Sequence, residues 1–411
     1  MKPLRVLLIN NHEQIGGGSE RVYQSTARLL ETAGHEVATL SCGSAAAEPS
    51  RPGTLLPLNG YIVPRSPVAT LRNLSRYVYW PRAAAELDRL LESFRPDVVH
   101  LHIFYGQLSS AILPVLRRRR VRTVMTVHEY RMLCPVSTLY TPGLGVCERC
   151  AGGNYLPAVR HRCNRGSLAA STLSAVECMV RDARFDYGEH IDHFLMVSRF
   201  CLDKHLQHRP QLASKSSVLY NFVETGRDPG QPSACLPTVL YAGRLAPEKG
   251  LSLLCDAVAR RRDLRLQIAG AGPLEETLRQ RFRDAASIEF VGKLDSESLR
   301  TRMNEAWCTV APSEWYENNP MSVLESMACG TPVLGARIGG IPELVRPDQT
   351  GWLFEPSSQQ SLSDALDRAV ATTRDQRMAM GQASRDYVAT HHAPQAHLQQ
   401  LLGAYGTRSQ S

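Results

Sequence analysis

The segment Thr238-Val-Leu-Tyr-Ala-Gly-Arg-Leu-Ala-Pro-Glu-Lys-Gly250 joins a short apolar run to a glycine turn that carries two cations. Residues 239–242 predict a strand, because β-branched and aromatic residues favour strands and Gly243 ends the run. Arg244 and Lys249 can both reach a diphosphate from such a turn, the arginine through its planar fork and the lysine as a point charge. A solvated basic loop is the alternative for this segment taken alone.

The same alternation of apolar runs with helical patterns extends over the whole chain. Strands are predicted at residues 6–10, 37–40, 97–102, 123–128, 194–198, 218–221, 239–242, 266–269, 288–291, 308–311 and 333–336. Strands that alternate with helices form parallel sheets covered by helices. The sequence therefore predicts an α/β fold of two facing, doubly wound, Rossmann-like domains, with ligands in the cleft beyond the carboxyl ends of the strands.

The domain limits follow from a polar linker rich in glycine and proline at residues 224–233. The N-terminal domain is placed at 1–223 and the C-terminal domain at 236–385, followed by a C-terminal helix and polar tail at 386–411. A cysteine-rich insertion at about 134–163 interrupts the first domain.

The composition is that of a globular protein. Of the 411 residues, 43% are hydrophobic and 21% are charged, which excludes a disordered chain. The formal charge of +8 suits anionic partners such as nucleotide phosphates or an acidic membrane surface. Nucleic acid is not expected, because no nucleic-acid-binding module is recognised.

The apolar run near the N-terminus leads into a glycine turn rather than a cleavage site, which predicts a first strand and not a signal peptide. No run approaches the roughly 18 apolar residues of a spanning helix. We therefore expect a cytoplasmic protein.

Glycine turns follow several predicted strands. In Ile15-Gly-Gly-Gly-Ser-Glu20 the turn opens a helix, whose N-terminal N–H groups can bind a phosphate. A plain tight turn is the alternative. Ala269-Gly-Ala-Gly272 and Gly339-Gly-Ile-Pro-Glu343 are further turns of the second half. Glu317-Asn-Asn-Pro-Met-Ser-Val-Leu-Glu325 spaces two carboxylates to suit two hydroxyl-bearing groups of one extended ligand, or else carries two surface acids.

Together, Arg244 with Lys249, the Glu-x7-Glu segment, Ser326-Met-Ala-Cys-Gly-Thr-Pro-Val333 and Gly-Gly-Ile-Pro-Glu343 resemble glycosyltransferase family 4. The resemblance covers nearly the whole chain and is densest between about 238 and 356. It implies a retaining enzyme of the GT-B architecture that moves a sugar from a nucleoside-diphosphate sugar, UDP- or GDP-linked, to a glycan or polyprenyl-linked glycan. Bacterial cell-surface polysaccharide biosynthesis is the expected setting.

The resemblance also implies roles for individual residues. Arg244 and Lys249 would hold the donor diphosphate and neutralise the leaving group, Glu317 and His128 would contact the transferred sugar, and Glu325 would bind the ribose. The remaining donor-binding positions lie in turns or at a helix start: Gly17, Gly18, Gly243, Gly272, Asn318, Asn319, Pro320, Met321 and Ser322.

Catalysis is expected to need no organic cofactor. The sequence contains no Asp-x-Asp, so we expect no catalytic divalent metal and assign charge neutralisation to Arg244 and Lys249. No side chain stands out as a covalent nucleophile, which favours attack by the acceptor on the face that the leaving phosphate departs from. A sugar-nucleotide epimerase of the same architecture is the alternative function, and a non-catalytic nucleotide-sugar sensor is a second.

Four of the eleven cysteines are regularly spaced, as Cys134-x12-Cys147-x2-Cys150-x12-Cys163. The Cys-x2-Cys spacing is that of a zinc knuckle, and four thiolates complete a tetrahedral structural site. We predict structural zinc here, with His161 as an alternative ligand. Redox-active thiols or unlinked cysteines are the alternatives. A cysteine-bearing insertion of this kind also resembles one found in some members of the family.

Two surface segments are candidates for membrane contact. Arg117-Arg-Arg-Arg-Val-Arg122 suits either a solvated helix end or attachment to an anionic membrane, where each basic residue contributes about 1 kcal/mol. Residues 72–82, with Tyr77, Tyr79 and Trp80, suit a core-facing helix or the same membrane. Peripheral attachment to the inner face of the plasma membrane would fit a lipid-linked acceptor.

Overall fold

A computed structural model describes residues 2–43, 51–58, 74–225 and 236–406. Its strands are β1 (Arg5–His12), β2 (Glu36–Gly43), β3 (Gly53–Pro57), β4 (Val98–Leu101), β5 (Arg122–Val127), β6 (Tyr140–Thr141), β7 (Gly145–Val146), β8 (His193–Met196), β9 (Ser216–Val218), β10 (Thr238–Ala242), β11 (Arg265–Ala269), β12 (Ile288–Gly292), β13 (Cys308–Ala311), β14 (Val333–Ala336) and β15 (Gly351–Phe354).

Two parallel sheets organise the chain. The first has the strand order β3-β2-β1-β4-β5-β8-β9 and the second has the order β12-β11-β10-β13-β14-β15. In each sheet the order reverses beside the first strand, between β1 and β4 and between β10 and β13, which is the position where doubly wound sheets bind ligands. This topology confirms the predicted α/β fold of two Rossmann-like domains.

Helices cover both sheets. They include α1 (Gly18–Thr32), α2 (Pro81–Phe94), α3 (Leu113–Arg119), α4 (Leu156–Arg160), α5 (Leu168–Arg184), α6 (Tyr187–His190), α7 (Arg199–His208), α8 (Leu251–Val258), α9 (Glu275–Arg281), α10 (Ser296–Glu305), α11 (Met321–Ala328), α12 (Ile341–Leu344), α13 (Gln359–Ala371), α14 (Arg374–His391) and α15 (Pro394–Gly406). Among the described residues, no helix combines the length and the apolar character needed to cross a membrane.

The predicted strands are present, with one shift, and four observed strands were not predicted; two of these are the two-residue strands β6 and β7. The strand predicted at 218–221 lies at Ser216–Val218, where polar residues pair at the sheet edge. Gly53–Pro57 and Gly351–Phe354 were not predicted. Both form sheet edges and are only five and four residues long, so their sequence patterns carry little periodicity. Residues 226–233 of the predicted linker, like 407–411 of the predicted tail, lie outside the described residues.

The last helix packs on the first domain although it follows the second in sequence. Leu401 and Tyr405 of α15 join the buried cluster formed by Val6 and Leu8 of the first strand. The Tyr405 hydroxyl lies 2.8 Å from His100 Nδ1, a hydrogen bond that spans 305 residues. The segment placed at 386–411 therefore begins inside α14, and its second helix crosses back to the N-terminal sheet.

We expect Leu401→Ala to lower the free energy of unfolding by about 2–5 kcal/mol, because it leaves a cavity between α15 and the first sheet. Gln399→Ala, on the exposed side of the same helix, is the control and should change stability by less than about 0.5 kcal/mol. Urea unfolding measures both. Equal small effects would show that α15 does not stabilise the first domain.

Candidate active site

The carboxyl ends of the two sheets face each other across a cleft, and loops from both domains meet there. Gly18 opens α1 immediately after the first glycine turn, with Gly17 as an extended N-cap residue. A Cβ atom added to Gly18 would lie 3.6 Å from Met321 Cγ, at the start of α11 in the second domain. The glycine turn of one domain thus lies against the Glu317–Glu325 segment of the other.

Lys249 and Glu317 form a partly buried ion pair at this edge. Lys249 Nζ lies 2.6 Å from Glu317 Oε1 and 4.9 Å from the centre of the Trp315 ring. Ser313 Oγ donates a hydrogen bond of 2.6 Å to the same carboxylate. Burial by itself raises the pKa of Glu317, but Lys249 with Ser313 and Trp315 outweighs burial and holds the pKa below its usual value. The carboxylate is therefore ionised.

The structure does not bring Arg244 to this pair. Its guanidinium is 63% exposed and pairs with Glu248 one helical turn away. Packing requires the glycine at position 272, where a Cβ would lie 2.4 Å from Leu245 O, whereas a Cβ at Gly243 would meet only the Tyr241 hydroxyl, at 2.9 Å.

The two asparagines after Glu317 connect the domains. Asn318 Nδ2 donates to His128 O at 2.8 Å, and Asn319 Oδ1 accepts from Asn221 N at 3.0 Å. Asn318 Oδ1 and Asn319 Nδ2 are buried without a hydrogen-bond partner among the described residues. Unpaired buried polar atoms are costly, so two neighbouring ones beside a cleft indicate hydrogen-bonding positions for a ligand.

The helix that follows adds free backbone donors. Pro320 is the N-cap of α11, and no side chain caps the N–H groups of the first turn, which includes Met321 and Ser322. Uncapped N-terminal amides and the helix dipole favour an anion. This places an anion-binding helix end directly opposite Gly18.

Glu325 contacts a residue that the sequence patterns did not single out. Arg21 of α1 donates through Nη1 to Glu325 Oε1 across the cleft. Burial raises the pKa of Glu325, while Arg21 opposes that shift. No local pattern could have predicted this pair, because Arg21 reads as an ordinary surface residue at the start of an amphipathic helix.

His128 follows β5 and belongs to a stack of three histidines. Its Nε2 lies 2.8 Å from His102 Nδ1, and the two rings stack with centroids 5.0 Å apart. The His100 ring is tilted against His102, with centroids 4.5 Å apart, and its two nitrogens contact Thr126 and Tyr405. Burial lowers the pKa of His100 to about 3 and that of His128 to about 4, and it lowers the pKa of His102 strongly. All three are neutral at neutral pH.

The pairing restricts the tautomer of His128. His102 Nε2 is buried and has no hydrogen-bond partner in the part of the chain that the structure describes. If that nitrogen carried the proton, a buried N–H donor would be orphaned, which is rarer in proteins than an under-satisfied acceptor. The proton is therefore assigned to His102 Nδ1, which donates to His128 Nε2. His128 then carries its own proton on Nδ1, the nitrogen left for a ligand.

Glu343 is a second residue whose role the sequence did not reveal, although its turn was noted. Its carboxylate accepts from the backbone N–H groups of Arg199 and Phe200, at 2.9 and 2.6 Å, at the start of α7 in the first domain. The Tyr220 hydroxyl also donates to it, at 2.8 Å. A carboxylate at a helix N-terminus is favourable, so Glu343 ties the second domain to the first.

The four regularly spaced cysteines converge. Cys134, Cys147, Cys150 and Cys163 line one small cavity together with His161. All four are free thiols. As their side chains are placed, no three His, Cys, Asp or Glu residues of the described chain are close enough to share a metal ion.

The structure places the two candidate membrane segments as a solvated helix end and a largely core-facing stretch. Arg117 pairs with Glu189, and Arg118 and Arg119 pair with Asp88, as in a solvated helix end. Of the aromatic stretch, Tyr77 and Trp80 are buried while Tyr79 stacks on Phe185. Residues 72 and 73 lie outside the described part of the chain.

Comparison with known proteins gives a consistent assignment for both halves. Residues 16–227 match the family model described as Glycosyltransferase Family 4, and residues 229–387 match the model described as Glycosyl transferases group 1. Both models describe transferases, and neither supports the epimerase alternative.

Individual relatives match over part of their length. The sulfoquinovosyl transferase SQD2 of Arabidopsis thaliana is 34% identical over 160 residues, 38% of this chain and 30% of that protein. A GDP-mannose-dependent monoacylated alpha-(1-6)-phosphatidylinositol monomannoside mannosyltransferase of Corynebacterium glutamicum is 32% identical over 163 residues, 37% of this chain and 42% of that protein. The chain thus spans less than half the length of these two relatives.

Solved structures match over almost the full chain. Sucrose-phosphate synthase from Thermosynechococcus elongatus superposes with a TM-score of 0.74 at 20% identity and covers 98% of both chains. Anabaena HepE in complex with UDP and glucose has a TM-score of 0.67 at 16% identity, over 98% of this chain and 100% of that one. At this identity the likeness establishes the two-domain GT-B fold.

Because the three histidines are buried and neutral, the free energy of unfolding should depend on pH in the acid range. Their pKa values are lower in the folded chain than in the unfolded chain, so unfolding takes up protons and stability falls as the pH drops below about 6.5. For His100 alone the loss between pH 7 and pH 5 is about 2 kcal/mol. We expect His100→Asn to flatten the pH dependence of the unfolding free energy by that amount. Exposed His391→Asn is the control, and equal slopes in both variants would contradict the assignment.

Proposed function

The chain belongs to glycosyltransferase family 4, and from this premise we propose that it moves a sugar from a nucleoside-diphosphate sugar, UDP- or GDP-linked, to a glycan or lipid-linked acceptor with retention of configuration. One observation carries the proposal. The first glycine turn and the Glu317–Glu325 segment lie against each other at the carboxyl ends of the two sheets, and Lys249 and Glu317 pair beside them. Such a cleft offers cations, amides and carboxylates to one extended anionic ligand.

In this proposal the donor lies between the two domains. The uncapped amides of α11 and the turn at Gly17 and Gly18 approach the diphosphate. Arg21 uses only Oε1 of Glu325, which leaves Oε2 for a ribose hydroxyl. The unpaired atoms of Asn318 and Asn319 supply one acceptor and two donors for the sugar or a phosphate.

The chemical step depends on charge. The bond between the anomeric carbon and the phosphate oxygen breaks, and a bond to the acceptor oxygen forms on the same face, while the leaving phosphate takes the acceptor proton. Cations preorganised at the diphosphate are usually the largest catalytic contribution in such a site. Lys249 has three N–H donors and can hold Glu317 and a phosphate oxygen together. The exposed side chain of Arg244 would leave Glu248 to close on the other phosphate oxygens. These two cations take the place of a divalent metal, and no organic cofactor takes part.

The acceptor in this proposal is glycan or polyprenyl-linked glycan of a bacterial cell surface. A relative acts, by its name, on a phosphatidylinositol mannoside, which is a lipid-linked sugar. Helix α5 supports attachment to an anionic membrane on the cytoplasmic side. It exposes Leu168, Val176 and Met179 on one face, while its acids Glu177 and Asp182 are held by arginines. This face suits a lipid surface better than the paired arginines of α3.

We expect a panel of nucleoside-diphosphate sugars, offered with a crude membrane-lipid acceptor, to show acceptor-dependent release of UDP or GDP by the wild-type protein. Glu325→Ala should lower kcat/KM roughly 10- to 100-fold, because it removes a hydrogen bond to a charged group. Glu297→Ala, an exposed carboxylate of the same domain, is the control and should behave as wild type. Sugar interconversion without an acceptor would indicate an epimerase, and donor binding without turnover would indicate a sensor.

His102 is proposed to act through His128 as a positioning residue. His102→Leu removes the donor to His128 Nε2, so both tautomers of His128 become available and kcat should fall about tenfold with little change in the KM for the donor. His102→Asn places an amide N–H at the position of Nδ1 and should restore most of that loss.

A purely structural role for His102 predicts another result. Both variants would then lose activity to the same extent, and the loss would follow their thermal stability rather than the presence of the amide donor. Steady-state kinetics and thermal unfolding of the two variants distinguish these outcomes.

A further inference from the structure

We propose that Cys134, Cys147, Cys150 and Cys163 bind one zinc ion that holds the insertion between β5 and α5 together. This site is separate from the sugar-transfer chemistry. It rests on the convergence of four side chains from three separate segments of the insertion, which contain Cys134, the Cys147–Cys150 turn and Cys163.

The four cysteines surround one space. They line a cavity of about 10 Å³ together with Thr141 and His161, enough for a single water-sized atom. Cys134 and Cys150 are each 7% exposed, and Cys147 and Cys163 are partly buried. As placed, no three potential ligands of the described chain share one metal position, so ligation requires the sulfurs to turn inward about their χ1 bonds. Sulfur ligands at about 2.3 Å would then enclose the ion.

The insertion has little else to hold it. Its regular structure consists of the two-residue strands β6 and β7 and the five-residue helix α4. Its apolar residues form two small clusters, one around Tyr130 that contains Cys134 and one around Tyr155 that contains Cys150. Because each cluster contributes a cysteine to the same cavity, a metal ion would join them. A short loop-rich segment commonly gains its stability from such a metal.

A further buried cysteine nearby does not belong to the site. Cys178 belongs to the cluster of Cys150 but does not line the cavity; its thiol lies 3.6 Å from Glu177 Oε2. Burial alone therefore does not select the four cysteines, whereas their sequence spacing and their common cavity do. Four thiolates suit zinc in tetrahedral geometry, and their protons pass to solvent on binding.

The site also bears on the cleft. Glu148 lies between Cys147 and Cys150 and accepts hydrogen bonds from Lys204 Nζ at 2.8 Å and from the Tyr316 hydroxyl at 2.9 Å. Tyr316 precedes Glu317 in the second domain. A metal that fixes the Cys-x2-Cys turn would thus fix a contact between the insertion and the loop of Glu317.

Metal analysis tests the proposal on the full chain purified without chelator or added metal. We expect about one zinc ion per chain by inductively coupled plasma mass spectrometry. Cys147→Ser and Cys150→Ser should reduce the zinc content at least about tenfold. Cys42→Ala, a buried cysteine in β2 of the same domain, is the control and should keep the metal.

A second measurement covers the case in which the serine variants do not fold. Wild-type protein treated with a thiol-binding mercurial should release its zinc in step with the thiols modified, as followed with a colorimetric zinc indicator. Cobalt bound in place of zinc should give sulfur-to-metal charge-transfer bands. Iron in place of zinc, fewer than eleven free thiols after denaturation, or metal-free protein that keeps its stability with chelator would each overturn the proposal.

Discussion

The buried carboxylate of Glu317 is the constraint on which the cleft depends. A carboxylate that is 7% exposed must be paired, and Lys249 and Ser313 satisfy it. Removing one partner of a buried ion pair costs about 3–5 kcal/mol, because the other charge is left without compensation. The backbone of Glu317 is also held in place, because Glu317 O accepts a hydrogen bond of 2.6 Å from Gly340 N. The pair therefore sets the course of the loop between β13 and α11.

From that loop, polar contacts extend into the first domain. Asn318 reaches the backbone of His128, Asn319 pairs with Asn221, and Glu343 caps α7. These contacts are polar, and Phe200 and Tyr316 add one aromatic contact with ring centroids 4.8 Å apart. Interfaces of this kind permit relative motion of the domains, which suits a cleft that must admit and release a substrate. The Arg21–Glu325 contact lies in the same interface and would be shared with a bound ribose.

Burial has different consequences on the two sides of the cleft. In the second domain the buried groups are an ion pair. In the first domain they are three neutral histidines, and hydrogen bonds decide which ring nitrogen carries each proton. Contacts that run from Tyr405 through His100 and His102 to His128 connect α15 to the edge of the site. The insertion adds a third contact, because Glu148 meets Tyr316 from outside the stack. Elements distant in sequence therefore converge on one short loop.

The sequence by itself determined the architecture and most of the strands. Apolar runs mark the segments that must be buried, and glycine turns mark the positions where the backbone must bend, so both can be recognised locally. It also indicated Lys249, Glu317 and the four cysteines, whose spacing is regular within short segments. Only the tertiary structure decided that Arg21 meets Glu325 across 304 residues, that His102 pairs with His128, and that α15 returns to the first sheet. Such contacts leave no local pattern. Their free energy depends on which surfaces meet after both sheets have formed, and no single segment of the chain carries that information.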